Sequence, residues 1–487
     1  MGSVRIYERE IGCFTTFFCK AEVLCILRQN RDMDSKAIFN FKGFNATIPY
    51  ESYRLFKLAL FLFFAFQFST FYINYDWLLA PNSGLLGECW LSQLALKDTV
   101  LGSIDSYWLL VLPGLLLFWF LDIYPAFFCF SSIVLVTLFF ARYPILYLGW
   151  EQISVCLLSC SFVVEITKRT YNNEYEIPVL SSYLMFTQIG MIYTFNALSK
   201  SGPLWMSGNA IAYATSALIL RTDNANWLQQ QHTLTTLLTY AVLIWEWMVL
   251  PMFILSFKYE KLRFPTALSI VLFHFTLSLF IDVGNFKWVS IAMLMLSIPS
   301  FFWKEKKLPS LYTQWQWGFT LRPIFSSIIS VTLIAILFVS HLTQQYAYEK
   351  SATWTLRDVF PFNIPNSFCS QFWHLYSPNP PAENGFVVTE LILHNKDTVM
   401  VRNGLPTSPT QFKNTTEKLL YTYMTIRNQR KYALCLQSCM VQREIALAKK
   451  MGSPPIIAGV AVLYSTLGEK GNTLTRKEIV RVNLNAH

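Results

Sequence analysis

The chain has 487 residues, with 39 Lys and Arg against 29 Asp and Glu, and a formal net charge of +10. Only 14% of its residues are charged and 53% are apolar, whereas an average soluble domain has about 25% charged residues. This composition excludes a disordered chain and a disulfide scaffold. It predicts a polytopic membrane protein, in which the excess of Lys and Arg belongs to cytoplasmic loops and requires no nucleic acid partner.

Nine stretches have the apolar character of membrane-spanning helices, which need about 20 residues each. In chain order they are Leu55–Tyr75, Tyr107–Leu121, Ala126–Ala141, Trp150–Thr167, Leu180–Ser199, Leu237–Phe257, Pro265–Val283, Phe286–Trp303 and Pro323–Leu342. The second and third are short and close together, so a single tight hairpin is the alternative for them. Ala210–Leu220 is apolar but too short to span, which predicts a re-entrant or interfacial segment. We therefore predict an all-α polytopic membrane helix bundle of about nine spans.

The distribution of Lys and Arg between the short loops predicts the orientation. With a cytoplasmic N-terminus, the cytoplasmic gaps hold more positive residues, among them Lys168, Lys258 and Lys304, than the opposite gaps. We predict a cytoplasmic segment over residues 1–53, where an interfacial helix is an option, a membrane domain over 54–343 and an extracytoplasmic domain over 344–487. Either a bacterial inner membrane or the endoplasmic reticulum fits this topology.

The C-terminal part has the mixed composition of a folded soluble domain. A β-hairpin is predicted around His394–Asp397, a helix over Thr415–Lys450, and strands over Ile456–Leu467 and Glu478–Leu484. Together these elements predict a compact C-terminal extracytoplasmic α+β domain.

Ionisable residues within the apolar spans are candidates for function, because they are costly there unless they are paired or face water. Glu246 and His274 lie mid-span, and Lys200 ends the fifth span near the neutral Gln188. A histidine in such a place ordinarily bridges two helices, and a terminal lysine ordinarily reaches the membrane interface. The functional alternative is a shared polar cavity. There a poorly hydrated amine more readily becomes neutral and can act as a general base.

The spacing of these residues is similar to that of a known family. The pattern Gln188-x4-Tyr193-x6-Lys200-x4-Trp205-x2-Gly208 resembles the signature of the vitamin K-dependent γ-carboxylases, whose shared membrane region is the horizontally transferred transmembrane (HTTM) domain. The resemblance extends over roughly residues 50–480.

Two further matches lie in later spans. One is His274-x9-Gly284-x-Phe286, and a weaker one is Glu246 followed by Pro251. The resemblance implies that Glu246 either orients the base or pairs with His274.

The resemblance also implies a reaction. Lys200 would be the base that deprotonates a reduced vitamin K-type quinone, whose oxidation by O2 is coupled to carboxylation of glutamyl side chains by CO2, without a metal. Residues implied to line the quinone cavity are Gln188, Tyr193, His274 and Glu246. Residues implied to have a structural role in these motifs are Trp205, Gly208, Gly284 and Phe286. Partners would be the lipid bilayer and a glutamate-containing peptide or protein, and the oligomeric state is left open.

Two other functions compete with the enzyme. The chain departs from the animal carboxylases in having a serine before Lys200 and a shorter tail. A non-enzymatic HTTM protein would bind a lipid or quinone, or act as a scaffold for partners of its tail domain. A transporter is less favoured, because the sequence has no inverted repeat of broken spans.

Overall fold

A computed structural model of the protein describes most of the apolar region and much of the C-terminal part. The described residues are 46–73, 105–142, 149–171, 174–216, 222–303, 325, 328–336, 338–339, 384–402, 405–406, 441–442, 444–466 and 474–484. The predicted interfacial helix within residues 1–53 therefore lies almost wholly outside the described residues.

Helices dominate the described part of the chain up to residue 303. The longer ones are α1 (Tyr50–Ile73), α2 (Asp105–Phe120), α3 (Pro125–Arg142), α4 (Gly149–Thr167), α5 (Val179–Ser199), α9 (His232–Leu255), α10 (Arg263–Phe280) and α11 (Phe286–Leu296). The short ones are α6 (Pro203–Met206), α7 (Ala210–Thr215) and α8 (Asp223–Gln229), with 3₁₀ turns at Glu260–Leu262 and Ser300–Phe302. Strands β1 (Arg169–Tyr171) and β2 (Glu174–Glu176) form a small antiparallel hairpin between α4 and α5.

The long helices coincide with the first eight predicted spans. Among the described residues, four helical stretches are long and apolar enough to cross a membrane: α1, α4, α9 and Glu260–Phe280. Shorter apolar helices occur at Leu109–Phe120, Pro125–Phe140 and Phe286–Leu296, and residues 328–336 are helical within the ninth predicted span. A mostly helical membrane protein is thus supported, while the number of nine spans and the orientation remain predictions.

The outer surface of the bundle is apolar. Large side chains such as Phe66 on α1, Phe127 on α3, Ile244 on α9 and Leu272 on α10 are exposed. Soluble monomers rarely expose apolar surface of this extent. These outward-facing residues therefore fit contact with lipid, and several apolar helices of this kind fit an integral membrane protein.

Helices α5 and α9 approach closely at a glycine. A Cβ atom at Gly190 would lie only 2.8 Å from the Cα atom of Leu250, so a larger residue would push the two helices apart. One turn further along α5, Thr194 Oγ1 donates a hydrogen bond to the main-chain oxygen of Glu246 at 3.3 Å. The C-terminal half of α5 is therefore held against the middle of α9.

The C-terminal part contains a five-stranded antiparallel sheet in the order β5-β4-β3-β6-β7. Its strands are β3 (Asn384–Leu393), β4 (Thr398–Arg402), β5 (Leu405–Pro406), β6 (Ile456–Thr466) and β7 (Leu474–Asn483). The predicted hairpin and strands are confirmed, although β7 begins four residues before the predicted strand. The described residues in 441–450 are helical and pack on the sheet, where Val441 and Ile445 lie against Gly459. The rest of the predicted tail helix lies outside the described residues.

The predicted orientation can be tested at His394, whose exposed side chain begins the turn between β3 and β4. We predict that a His394→Cys variant in intact membranes reacts with a membrane-impermeant maleimide from the extracytoplasmic side. A Lys258→Cys variant, in the exposed turn after α9, serves as the control and should react only after permeabilisation. The labelling of the parent protein, which contains only the native cysteines, is subtracted from the labelling of each variant. The reverse pattern would contradict the orientation derived from loop charges.

Candidate active site

Lys200 ends helix α5 and turns back into the bundle. Its backbone N–H donates to the carbonyl of Ala197 at 3.1 Å, which closes the last turn of the helix. Its side chain is only 4% exposed, and its Nζ lies 2.6 Å from both carboxylate oxygens of Glu246. The amine therefore does not reach outward to the membrane interface, as a terminal lysine ordinarily does.

Glu246 is the charged partner that compensates the buried amine of Lys200. It lies mid-helix in α9 and is 2% exposed. Its Oε1 also accepts a hydrogen bond from Asn196 Nδ2 at 2.9 Å. Asn196 and Lys200 are four residues apart and thus lie on the same face of α5. Because a buried charge is costly unless it is paired and hydrogen-bonded, the three side chains act as one unit. Of the two roles expected for Glu246, the structure shows the contact with Lys200.

Trp205 covers the amine. The centroid of its indole ring lies 4.4 Å from Lys200 Nζ, a cation–π distance. The segment that carries Trp205 is fixed at Gly208, where φ is +78° and an added Cβ would lie 2.6 Å from Thr236 Cγ2. Tyr240 Oη also donates to the main-chain oxygen of Met206 at 2.8 Å. Gly208 thus fixes the turn that places the indole ring of Trp205 over the amine of Lys200.

Tyr193 and His274 form a second buried contact. Tyr193 Oη lies 2.8 Å from His274 Nε2, and the imidazole stacks on Phe286 with a centroid separation of 5.4 Å and an interplanar angle of 8°. Gly284, with φ of +67°, turns the chain from α10 into α11. Its N–H donates to Asp282 Oδ1 at 3.3 Å. The second predicted motif therefore places the phenyl ring of Phe286 against the histidine.

Gln188 stands apart from these contacts. It is fully buried in α5, and it precedes Asn196 by eight residues, or about 12 Å along the helix axis. The described geometry brings Lys200 together with Glu246 and Trp205, and Tyr193 together with His274. It does not bring Gln188 to the amine.

The sequence prediction missed two side chains next to these residues. Asn196 could have been found from its spacing of four residues before Lys200. Trp245 lies edge-on to Tyr193 at 5.3 Å between ring centroids and stacks on Phe273 at 4.4 Å. Its indole Nε1 donates to Ser269 Oγ at 3.0 Å. No spacing rule would have singled out this one of the many apolar aromatics.

A separate charge cluster lies at the other end of the bundle. Lys57 Nζ and Lys168 Nζ each lie 2.5 Å from one carboxylate, that of Asp122 and that of Glu165 respectively. Trp119 Nε1 also donates to Glu165 at 2.9 Å. Each lysine also lies within 4 Å of the other carboxylate, so the four charges compensate one another. This arrangement ties α1, the turn after α2 and the end of α4 together, which fits a structural role.

The fold and the buried pair define a helical membrane protein with an internal amine–carboxylate site. Residues 152–303 match the family model of the HTTM domain, which is found in vitamin K-dependent carboxylase-like proteins. The resemblance is thereby confirmed for the part of the chain that contains Lys200, Glu246 and His274. No curated protein and no solved structure matches the chain.

The Lys200–Glu246 pair can accept one further proton in either of its neutral forms. In the ammonium–carboxylate form the acceptor is an oxygen of Glu246, and in the amine–acid form it is the nitrogen of Lys200. The two forms carry the same net charge and differ only by a proton shift along a 2.6 Å contact. If a proton is accepted here, the acceptor is therefore the pair as a unit, since either the Lys200 nitrogen or a Glu246 oxygen can hold the available lone pair.

The energetic coupling of the pair can be measured by a double-mutant cycle. We predict that Lys200→Met or Glu246→Leu alone lowers the free energy of unfolding by about 3–5 kcal/mol, because each leaves one buried charge uncompensated. The double variant should unfold near the wild-type midpoint, since apolar side chains replace the whole pair. Unfolding in detergent, followed by near-ultraviolet circular dichroism, gives these values.

The exposed pair Arg481–Glu478 in strand β7 provides the control for this cycle. Arg481→Met should leave the midpoint nearly unchanged, because exposed ion pairs contribute little. Single variants at Lys200 and Glu246 that behave like Arg481→Met would show that the membrane pair is open to water.

Proposed function

We propose that the protein is a quinone-dependent membrane enzyme of the carboxylase type, in which the Lys200–Glu246 pair accepts the proton. The supporting observation is the buried amine, 2.6 Å from both carboxylate oxygens, within the residues that match the HTTM domain. The pair has the two properties that proton abstraction needs, a lone pair and shielding from bulk water.

The residues beside the pair fit an aromatic quinone. Flat rings of Tyr193, Trp245, Phe273 and Phe286 lie around His274, and buried apolar walls with a few polar groups are typical of sites for such ligands. When bound, a reduced vitamin K-type quinone would supply, together with O2, the strong base that removes the γ-proton of a glutamyl side chain before CO2 adds to it.

Each residue of the chain then has a physical task. Lys200 and Glu246 receive the first proton, and Asn196 fixes the carboxylate through its 2.9 Å hydrogen bond. Trp205 closes the site over the amine and restricts water. The C-terminal α+β domain would hold a glutamate-containing peptide on the extracytoplasmic side of a bacterial inner membrane or the endoplasmic reticulum.

A non-enzymatic membrane protein is the second candidate. The observation that favours it is the complete compensation of the buried charges, which stabilises the contact between α5 and α9 without any chemistry. Such a protein would bind a lipid or a quinone at the aromatic side chains, or recruit partners through its tail domain, and would show no turnover.

Hydroquinone epoxidation separates the two candidates. We predict that the purified protein in lipid nanodiscs converts reduced phylloquinone to its epoxide under O2, and that the double variant Lys200→Met/Glu246→Leu loses this turnover at least 100-fold while keeping its fold. The loss is expected because both proton-accepting atoms are removed. Product is measured by chromatography, with and without a glutamyl peptide and bicarbonate.

A Lys287→Met variant is the matched control, because it removes a lysine of α11 that lies outside the pair; its turnover should equal that of the wild type. Full turnover in the double variant would contradict the proposed role of the pair. Binding of phylloquinone by the wild type without epoxide formation would favour the non-enzymatic protein.

A further inference from the structure

Two buried ring nitrogens have no hydrogen-bond partner among the residues that the structure describes. They are Nε1 of Trp150, at the start of α4, and Nδ1 of His274, in α10. The two side chains are only 5% and 4% exposed. Buried polar groups are nearly always hydrogen-bonded in folded proteins. Each nitrogen therefore indicates a partner that the described part of the chain does not provide.

Both rings pack against Phe286. Trp150 meets it nearly perpendicularly, at 84° and 5.7 Å between centroids, and His274 stacks on it in parallel at 5.4 Å. Phe286 is fixed in turn by Gly149, where an added Cβ would lie 2.6 Å from its Cζ atom. Three helices, α4, α10 and α11, thus bring the two side chains to the same aromatic ring.

This region also carries other polar groups. Glu151, next to Trp150, accepts a hydrogen bond from Gln67 Nε2 at 2.9 Å, and Asn285, next to Phe286, donates to Gln67 Oε1 at 2.6 Å. These contacts connect α1 with the starts of α4 and α11. The surroundings of the two nitrogens are therefore suited to a polar atom of a ligand as well as to an aromatic ring.

The hydrogen bond from His274 to Tyr193 allows His274 Nδ1 to act in two ways. If Tyr193 donates to Nε2, then Nδ1 carries the proton and donates; if Nε2 donates to Tyr193, then Nδ1 accepts. The indole N–H of Trp150 donates in both cases. A carbonyl oxygen satisfies the first arrangement and a hydroxyl satisfies the second. The two nitrogens therefore suit both the oxidised and the reduced form of a quinone.

We propose that Trp150 Nε1 and His274 Nδ1 bind the second oxygen of an uncharged quinone or hydroquinone, whose first oxygen meets the Lys200–Glu246 pair. This inference rests on the proposed function. The spacing supports it, because Tyr193, which bonds His274, and Asn196, which bonds Glu246, are neighbours one turn apart on α5.

The test compares two ligands that differ by one hydroxyl, menadiol and 2-methyl-1-naphthol. Their dissociation constants are measured for the full chain in nanodiscs by calorimetry under argon. We predict that Trp150→Phe weakens menadiol binding about 3- to 10-fold, the effect of one hydrogen bond, and changes naphthol binding less than about 2-fold. His274→Phe should weaken the binding of both menadiol and its oxidised form, menadione.

Thermal unfolding without ligand distinguishes this role from a structural one. Trp150→Phe removes a buried donor that has no partner among the described residues, so the melting temperature should stay level or rise. Trp303→Phe is the matched control. It removes an indole N–H that donates to Ser52 Oγ at 2.8 Å and lies outside the proposed site, so it should lower the melting temperature and leave the affinity for both ligands unchanged.

The subsite would be overturned if Trp150→Phe left the affinity for menadiol unchanged, or if it weakened the binding of both ligands equally. Either result would leave the proposed function intact. Unchanged affinity with a raised melting temperature would indicate that the indole N–H of Trp150 is simply unsatisfied in the folded protein, which also overturns the subsite. Menadiol binding that depends on Trp150, without epoxide formation by the wild type, would support the subsite and contradict the proposed function.

Discussion

The contact between Lys200 and Glu246 is the constraint that the packing of α5 against α9 has to satisfy in this chain. An amine and a carboxylate in the interior of a membrane bundle must meet, because either one alone is strongly unfavourable there. Gly190 allows the two helices to approach, and Asn196 and Trp205 complete the surroundings of the charges. These features follow from the need to hold one amine against one carboxylate away from water.

The bundle uses buried charges in two different ways. At one end Lys57, Lys168 and their two carboxylates satisfy one another, so the cluster has a structural explanation. The Lys200 end differs, because α5 also carries Tyr193, the hydrogen-bond partner of His274. His274 Nδ1 has no partner among the described residues. Such unfilled hydrogen-bonding capacity is what the proposed quinone site would use in addition to the buried ion pair.

Much of the fold could be predicted from apolar runs and β-rich segments. The predicted span Leu180–Ser199 differs from α5 by one residue, because both ends are marked by a change from polar to apolar residues. The number of spans could not be settled, since several apolar helices are shorter than a bilayer requires. Composition gives the polarity of a segment, but not whether a short apolar helix crosses the membrane.

The candidate site was predicted in part. Lys200, Glu246, Tyr193 and His274 stand out as polar residues in apolar surroundings, and the structure places them in two contacts, Lys200 with Glu246 and Tyr193 with His274. Whether Lys200 faces inward could not be predicted, because a lysine at a helix end can point to either side. Trp150 could not be predicted either, since its role depends on a missing hydrogen-bond partner, which only the packing reveals.

The most direct measurement is the acetylation rate of Lys200 by a water-soluble amine reagent, followed by mass spectrometry of the intact folded protein. The account predicts that Lys200 reacts at least 100-fold more slowly than the exposed Lys396, and that denaturation removes the difference. Equal rates in the folded protein would show that the amine lies in bulk water, which would contradict a buried Lys200–Glu246 pair.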